Sequence, residues 1–212
     1  MRLWDISPPV SAATAVWPGD TRFVLERTWH LGPGCPVNVS KLTLSTHTGA
    51  HADAPLHYDA GGKDAASLSL RPYLGACRVV HLSPGRPRVE VADIEAHLDA
   101  TAPRLLVRTT PRAVLDRFPE PFVPVSPDAI ERLADAGGLL IGVDTPSLDP
   151  ADSKSLDAHH AVRRRGLAIL EGLVLDDVPE GRYELIALPL RLIDADASPI
   201  RAVLRALPGE VP

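Results

Sequence analysis

The stretch that most restricts how this chain can fold is residues 46–57, THTGAHADAPLH, where His47, His51, Asp53 and His57 fall within eleven positions. The steps from 47 to 51 to 53 are even, so an extended backbone turns these three side chains to one face. A helix would also pair 47 with 51, but Gly49 inside it and Pro55 just beyond make a continuous helix costly. The alternation VNVSKLTL over residues 37–44 predicts a strand that carries the chain directly into His47 and gives the cluster a rigid support.

Two imidazoles and one carboxylate suit a borderline divalent ion such as zinc, with manganese or iron as competitors, and leave coordination positions open for water. The plain alternative is a set of polar residues on a solvated loop. Thr48, Gly49, Ala50, Ala52 and Ala54 weigh against it, because little bulk stops their backbone from approaching an ion closely.

The rest of the chain must bury this stretch in one domain. Its 212 residues show no composition break, so a single domain over 1–212 is expected. Apolar residues make up 45% and charged residues 23%, a balance that excludes general disorder. A net charge of −5 offers no basic footprint for nucleic acid. Asp5 arrives before any apolar signal region can form and no apolar run approaches membrane-spanning length, so a cytoplasmic location without a membrane partner is expected. Cys35 and Cys77 lack CxxC spacing and are expected to be reduced, buried small residues.

Elsewhere the pattern predicts strands at 2–7, 77–82, 105–110, 183–192 and 199–207, with Pro189 marking a bulge or edge. Helices are expected over 91–99 and, most clearly, 126–138, where Ser126 caps, Pro127 takes the first helical position and Gly137-Gly138 ends it. A buried strand ending at Asp144 follows. This order of strand, helix and strand implies an α+β fold, a mixed sheet with helices on one side. His159 and His160 start a short helix stopped by Gly166. Glu171 lies within the apolar run 167–175, where a carboxylate is costly unless paired or metal-bound, or unless the chain bends there and turns it outward. His81, alone on a strand, reads as structural. Trp17, just before the turn Pro18-Gly19-Asp20, either plugs a core edge or lines a pocket; aromatic burial favours the core.

HTGAHADAPLH, together with DISPP, VWPGDT, CPVNVS, GVDTPSLDP, LDAHHA and ILEG, resembles the bacterial kynurenine formamidase group within the cyclase family, over essentially the whole chain. The resemblance implies the swivelling β/β/α fold of that family. It also implies a homodimeric hydrolase of tryptophan catabolism that converts N-formyl-L-kynurenine to L-kynurenine and formate with two zinc ions per subunit. By the same resemblance His47, His51 and Asp53 hold one ion, Asp53, His159 and Glu171 hold the second, His57 is the general acid/base and Trp17 contacts substrate. The choice of His159 over His160 rests on it alone.

Two rivals stand beside this expectation. One is a cyclic-amide hydrolase of the isatin type using manganese, which has no evident use for Glu171. The other is a non-catalytic metal-binding protein, disfavoured because structural zinc sites are usually closed by cysteines.

Overall fold

The computed structural model describes residues 2–207; Met1 and residues 208–212 of the expected domain lie outside the described residues. Eleven strands are described: β1 (Leu3–Asp5), β2 (Val24–Trp29), β3 (Val39–Thr43), β4 (His51–Asp53), β5 (Leu74–His81), β6 (Arg104–Arg108), β7 (Leu140–Val143), β8 (Ala168–Leu170), β9 (Gly181–Ile186), β10 (Ala197–Pro199) and β11 (Val203–Ala206). The α-helices are α1 (Val91–Ile94), α2 (Pro127–Asp135) and α3 (Asp157–Arg165).

Seven strands form one mixed sheet in the order β1-β11-β9-β5-β6-β7-β8. The half from β5 to β8 is parallel and the half from β1 to β5 antiparallel. Both faces are covered, and successive side chains alternate between two cores. Val80, Leu105, Val107, Ile141 and Ile169 pack against Ile94, Ile130, Leu133 and Val162 of the helices. Val79, Leu106, Leu140, Leu170, Tyr183 and Leu204 face the other way, onto Ile6, Ala50, Ala52 and Leu173. The helices therefore lie on one side, as the strand-helix-strand order implies, and the small sheet β10-β4 lies on the other.

The best-marked helix forms where expected: the Ser126 hydroxyl accepts from the Ala129 amide at 3.2 Å and Pro127 opens α2. Gly166, at φ +68°, ends α3. Other elements are shorter than their patterns suggest. The helix expected over 91–99 is α1 plus one 3₁₀ turn, Glu95–His97. Beyond it the Asp99 carboxylate binds the Thr101 amide at 2.8 Å, a local turn that competes with further helix. The strand expected over 183–192 stops at Ile186, since Leu188 and Leu190 are exposed and Pro189 cannot donate to a ladder.

The strand expected over 37–44 needs a larger correction. It pairs with β2, which the sequence pattern does not reveal, as a hairpin whose every residue is exposed. After Thr43 the chain turns, with the Thr48 amide donating to the Ser45 carbonyl at 3.1 Å, instead of running straight through His47. The support for the cluster is β4, which is fully buried and paired with β10.

Candidate metal centre

Extended backbone over His51–Asp53 turns those two side chains to the same face, as the even spacing requires. His47 joins them through the preceding turn, not along one continuous strand. Its Nδ1 lies 3.2 Å from Asp53 Oδ1, and His51 Nε2 lies 3.4 Å from the same oxygen. The other carboxylate oxygen, Oδ2, lies 3.3 Å from His159 Nε2. Glu171 closes the floor, with Oε2 3.4 Å from His51 Nε2 and Oε1 3.5 Å from His159 Nε2.

Glu171 arrives by an unusual backbone. After β8 the chain does bend at Gly172, φ +66°, yet the carboxylate turns inward and is only 3% exposed. Glu171 and His51 exchange amide-to-carbonyl hydrogen bonds, both 3.1 Å, which tie β8 to β4. A Cβ on Gly172 would sit 2.4 Å from the Gly49 carbonyl oxygen, so only glycine lets the two segments cross this closely. His159 is 1% exposed while its neighbour His160 is exposed. Burial of one helix face thus selects His159.

Partners outside the cluster fix the ring orientations. His51 Nδ1 lies 2.9 Å from the Gly49 carbonyl, which can only accept, so Nδ1 carries the hydrogen and Nε2 faces the cluster. Asp149 does the same for His159, accepting from its Nδ1 at 2.6 Å and from the amides of Ala158 and His159. His47 Nε2 pairs with Asp196 at 3.1 Å, and His57 Nδ1 lies 3.5 Å from the same carboxylate. No sequence pattern singles out Asp149 or Asp196 as partners of these rings. Asp149 lies within GVDTPSLDP, whereas nothing local distinguishes Asp196 from Asp194.

These residues fit a divalent cation. His51 Nε2 and Asp53 Oδ1 are buried and lack a well-formed hydrogen bond, meeting only other atoms of the cluster at 3.2–3.4 Å, an unusual state for such groups. Burial opposes charging His47, but hydrogen bonding to Asp53 and the charges of Asp53 and Asp196 outweigh it and raise its pKa to about 9. For His159 burial is likewise overcome, by Asp149, Asp53 and Glu171, and the pKa rises to about 12. The cluster thus carries more negative charge than its neutral imidazoles balance. His47, His51 and Asp53 present ligand atoms within 4.8 Å of one another, as do Asp53, His57 and His159. Nitrogen and oxygen donors of this kind suit zinc or manganese.

Above the floor is a cleft of about 360 Å³, walled by Pro9, Trp17, Leu115, Phe118, Pro146 and Leu173. Trp17 does not plug the core: it is 37% exposed and meets Phe118 edge-on with ring centroids 5.0 Å apart. His57, also exposed, lies at the cleft mouth beside His47, ring centroids 4.3 Å apart. His81 takes no part, its ring bonding the Val178 carbonyl at 2.8 Å. Cys77 is buried and free, its thiol pushed up to about 12 by burial, while Cys35 is free but only half-buried beside the hairpin. No helix among the described residues is long and apolar enough to cross a membrane.

A mixed sheet with helices on one face and a buried imidazole-carboxylate floor open to a cleft has the architecture of a metal-dependent hydrolase. The chain belongs to the cyclase family, whose pattern it matches over residues 4–150. It is 31% identical to a potential metal-dependent hydrolase with cyclase activity, over 96% of each chain with a TM-score of 0.80. It is 29% identical to a predicted metal-dependent hydrolase from Bacillus stearothermophilus, over 96% of this chain and 97% of that one, TM-score 0.81. Isatin hydrolase A from Labrenzia aggregata shares the fold at 21% identity, over 97% and 93% of the two chains, TM-score 0.76.

Proposed function

We propose that this protein hydrolyses N-formyl-L-kynurenine to L-kynurenine and formate. The observation that carries the reading is the division of the floor around Asp53. One carboxylate oxygen faces His47 and His51, the other faces His159, and Glu171 lies beside the latter. In this reading His47, His51 and Asp53 hold one zinc ion, and Asp53, His159 and Glu171 hold a second. When bound, zinc supplies a water of near-neutral pKa and a Lewis acid for a carbonyl oxygen.

The chain's own residues do the rest. Trp17 and Phe118 hold the aryl ring in the cleft and exclude water from one side of the formamide. His57 takes a proton from the attacking water as the bond from oxygen to the formyl carbon forms. It returns that proton to the aryl nitrogen as the C–N bond breaks, releasing formate and the amine. Asp196 keeps His57 oriented through Nδ1, and a ring nitrogen of His57 lies within 4.8 Å of ligand atoms on Asp53 and His159. The homodimer belongs to the same proposal. The exposed apolar hairpin, with Leu25, Trp29, Val39 and Leu42 outward, offers a face for a second copy.

The test is turnover of N-formyl-L-kynurenine with metal content measured on the same sample, before and after chelation, and light scattering for the dimer. Activity that vanishes with the metal and returns with zinc, at about two ions per chain, supports the reading. Metal-loaded protein that opens isatin but leaves the formamide intact overturns the substrate.

A further inference from the structure

A second cavity, of about 260 Å³, opens beside the cleft and shares Ala113, Val114, Pro119 and Asp144 with it as a common wall. Phe122 lines this annex and lies 6.2 Å, centroid to centroid, from Phe118 of the main cleft, so an aromatic surface runs from one into the other. Its charged lining consists of Arg117, Glu120 and Asp144. Asp144 is already committed: it accepts from the Thr109 amide at 2.9 Å, the Thr109 hydroxyl at 2.7 Å and the Thr110 amide at 3.1 Å. Arg117 and Glu120 are exposed, and neither side chain has an ion-pair or hydrogen-bond partner among the described residues.

One uncommitted guanidinium and one uncommitted carboxylate in a cavity that adjoins an aromatic cleft and shares its lining form a dipolar receptor. We propose that the annex binds the α-amino acid end of the ligand, Arg117 taking the carboxylate and Glu120 the ammonium. A guanidinium presents two parallel N–H donors that match a carboxylate, and Glu120 accepts from an ammonium that Asp144 can no longer serve. The ligand then passes over the edge formed by the shared residues, its aryl ring in the cleft and its charged tail in the annex. This inference rests on the formamidase reading and makes the annex the source of its specificity for the amino acid.

The experiment is calorimetric binding of L-kynurenine and of 2-aminoacetophenone, which lacks the amino acid end, to wild-type, Arg117→Gln and Glu120→Gln protein. Wild-type protein is expected to prefer L-kynurenine. Arg117→Gln should reduce that preference about tenfold and Glu120→Gln by less. A wild-type protein that binds L-kynurenine no better than 2-aminoacetophenone overturns the proposal, as does a preference indifferent to both substitutions. Turnover provides the separate arm: Arg117→Gln should raise the ratio of KM for N-formyl-L-kynurenine to KM for 2-formamidoacetophenone about tenfold. Absent turnover of either formamide, with the binding preference intact and dependent on Arg117, would sink the formamidase reading and leave the amino acid annex standing.

Discussion

The floor and the rim of the site are built on opposite terms. His51, Asp53, His159 and Glu171 are at most 3% exposed, lie on or beside paired strands and a helix, and have their orientations fixed by Gly49, Asp149 and the crossing at Gly172. Trp17 and His57 stand on loops or a single 3₁₀ turn, exposed, with looser contacts. Burying unpaired carboxylates and imidazoles is costly unless a cation balances them. The floor therefore suits an ion, and on the proposed function the rim serves a ligand that comes and goes. His47 belongs to both, facing Asp53 on one side and Asp196 on the other.

The contrast breaks most severely at Asp53. Asp53→Ala should abolish metal binding and depress turnover at least as far as loss of a general base does, about 10²–10⁴-fold; metal analysis beside a rate assay checks this. A fully loaded, active Asp53→Ala protein would show that the floor is not the metal site. His57→Ala should lose about 10²–10⁴-fold in turnover with metal content unchanged, which sharpens the division between floor and rim. Parallel loss of metal and rate would move His57 into the floor. Asp149→Ala touches the floor only through His159 and should cost about 10–100-fold in metal affinity or activity, measured by competition with a chelator. The smallest effect is expected at the rim: Trp17→Ala removes an aromatic contact of about 0.5–1.5 kcal/mol and should raise KM about 2- to 12-fold while leaving thermal stability nearly unchanged. A lowered melting temperature with unchanged KM would return Trp17 to a packing role.

Much of the floor was legible because its residues crowd into one short stretch. Even spacing places His51 and Asp53 on one face, while a carboxylate in an apolar run leaves Glu171 open between an inward, paired position and an outward one, and only the family resemblance points it to the floor. The helix α2 was equally plain, since cap, proline and terminal glycines agree. What stayed hidden depends on pairing between distant segments. Nothing near Val24–Trp29 announces that it pairs with Val39–Thr43, and the alternation of 37–44 predicts a strand leading straight into His47 although it forms an exposed hairpin that turns away first. Asp196 joins His47 across 149 residues of chain, a meeting set by the pairing of β10 with β4. For Trp17 residue type points to the core, because bulky apolar side chains are usually buried, whereas here the walls of a cleft supply an alternative.

The crossing at Gly172 bears on how this scaffold could be altered. Where two main chains touch without an intervening side chain, the spacing between them follows from atomic radii and is indifferent to the surrounding side-chain packing. The loops that carry Trp17, Leu115 and Phe118 meet the floor from above and take no part in that contact. Walls can therefore be exchanged to admit differently shaped ligands while the imidazole-carboxylate floor keeps its gauge, and a redesign library should vary the loops freely but leave Gly49 and Gly172 untouched.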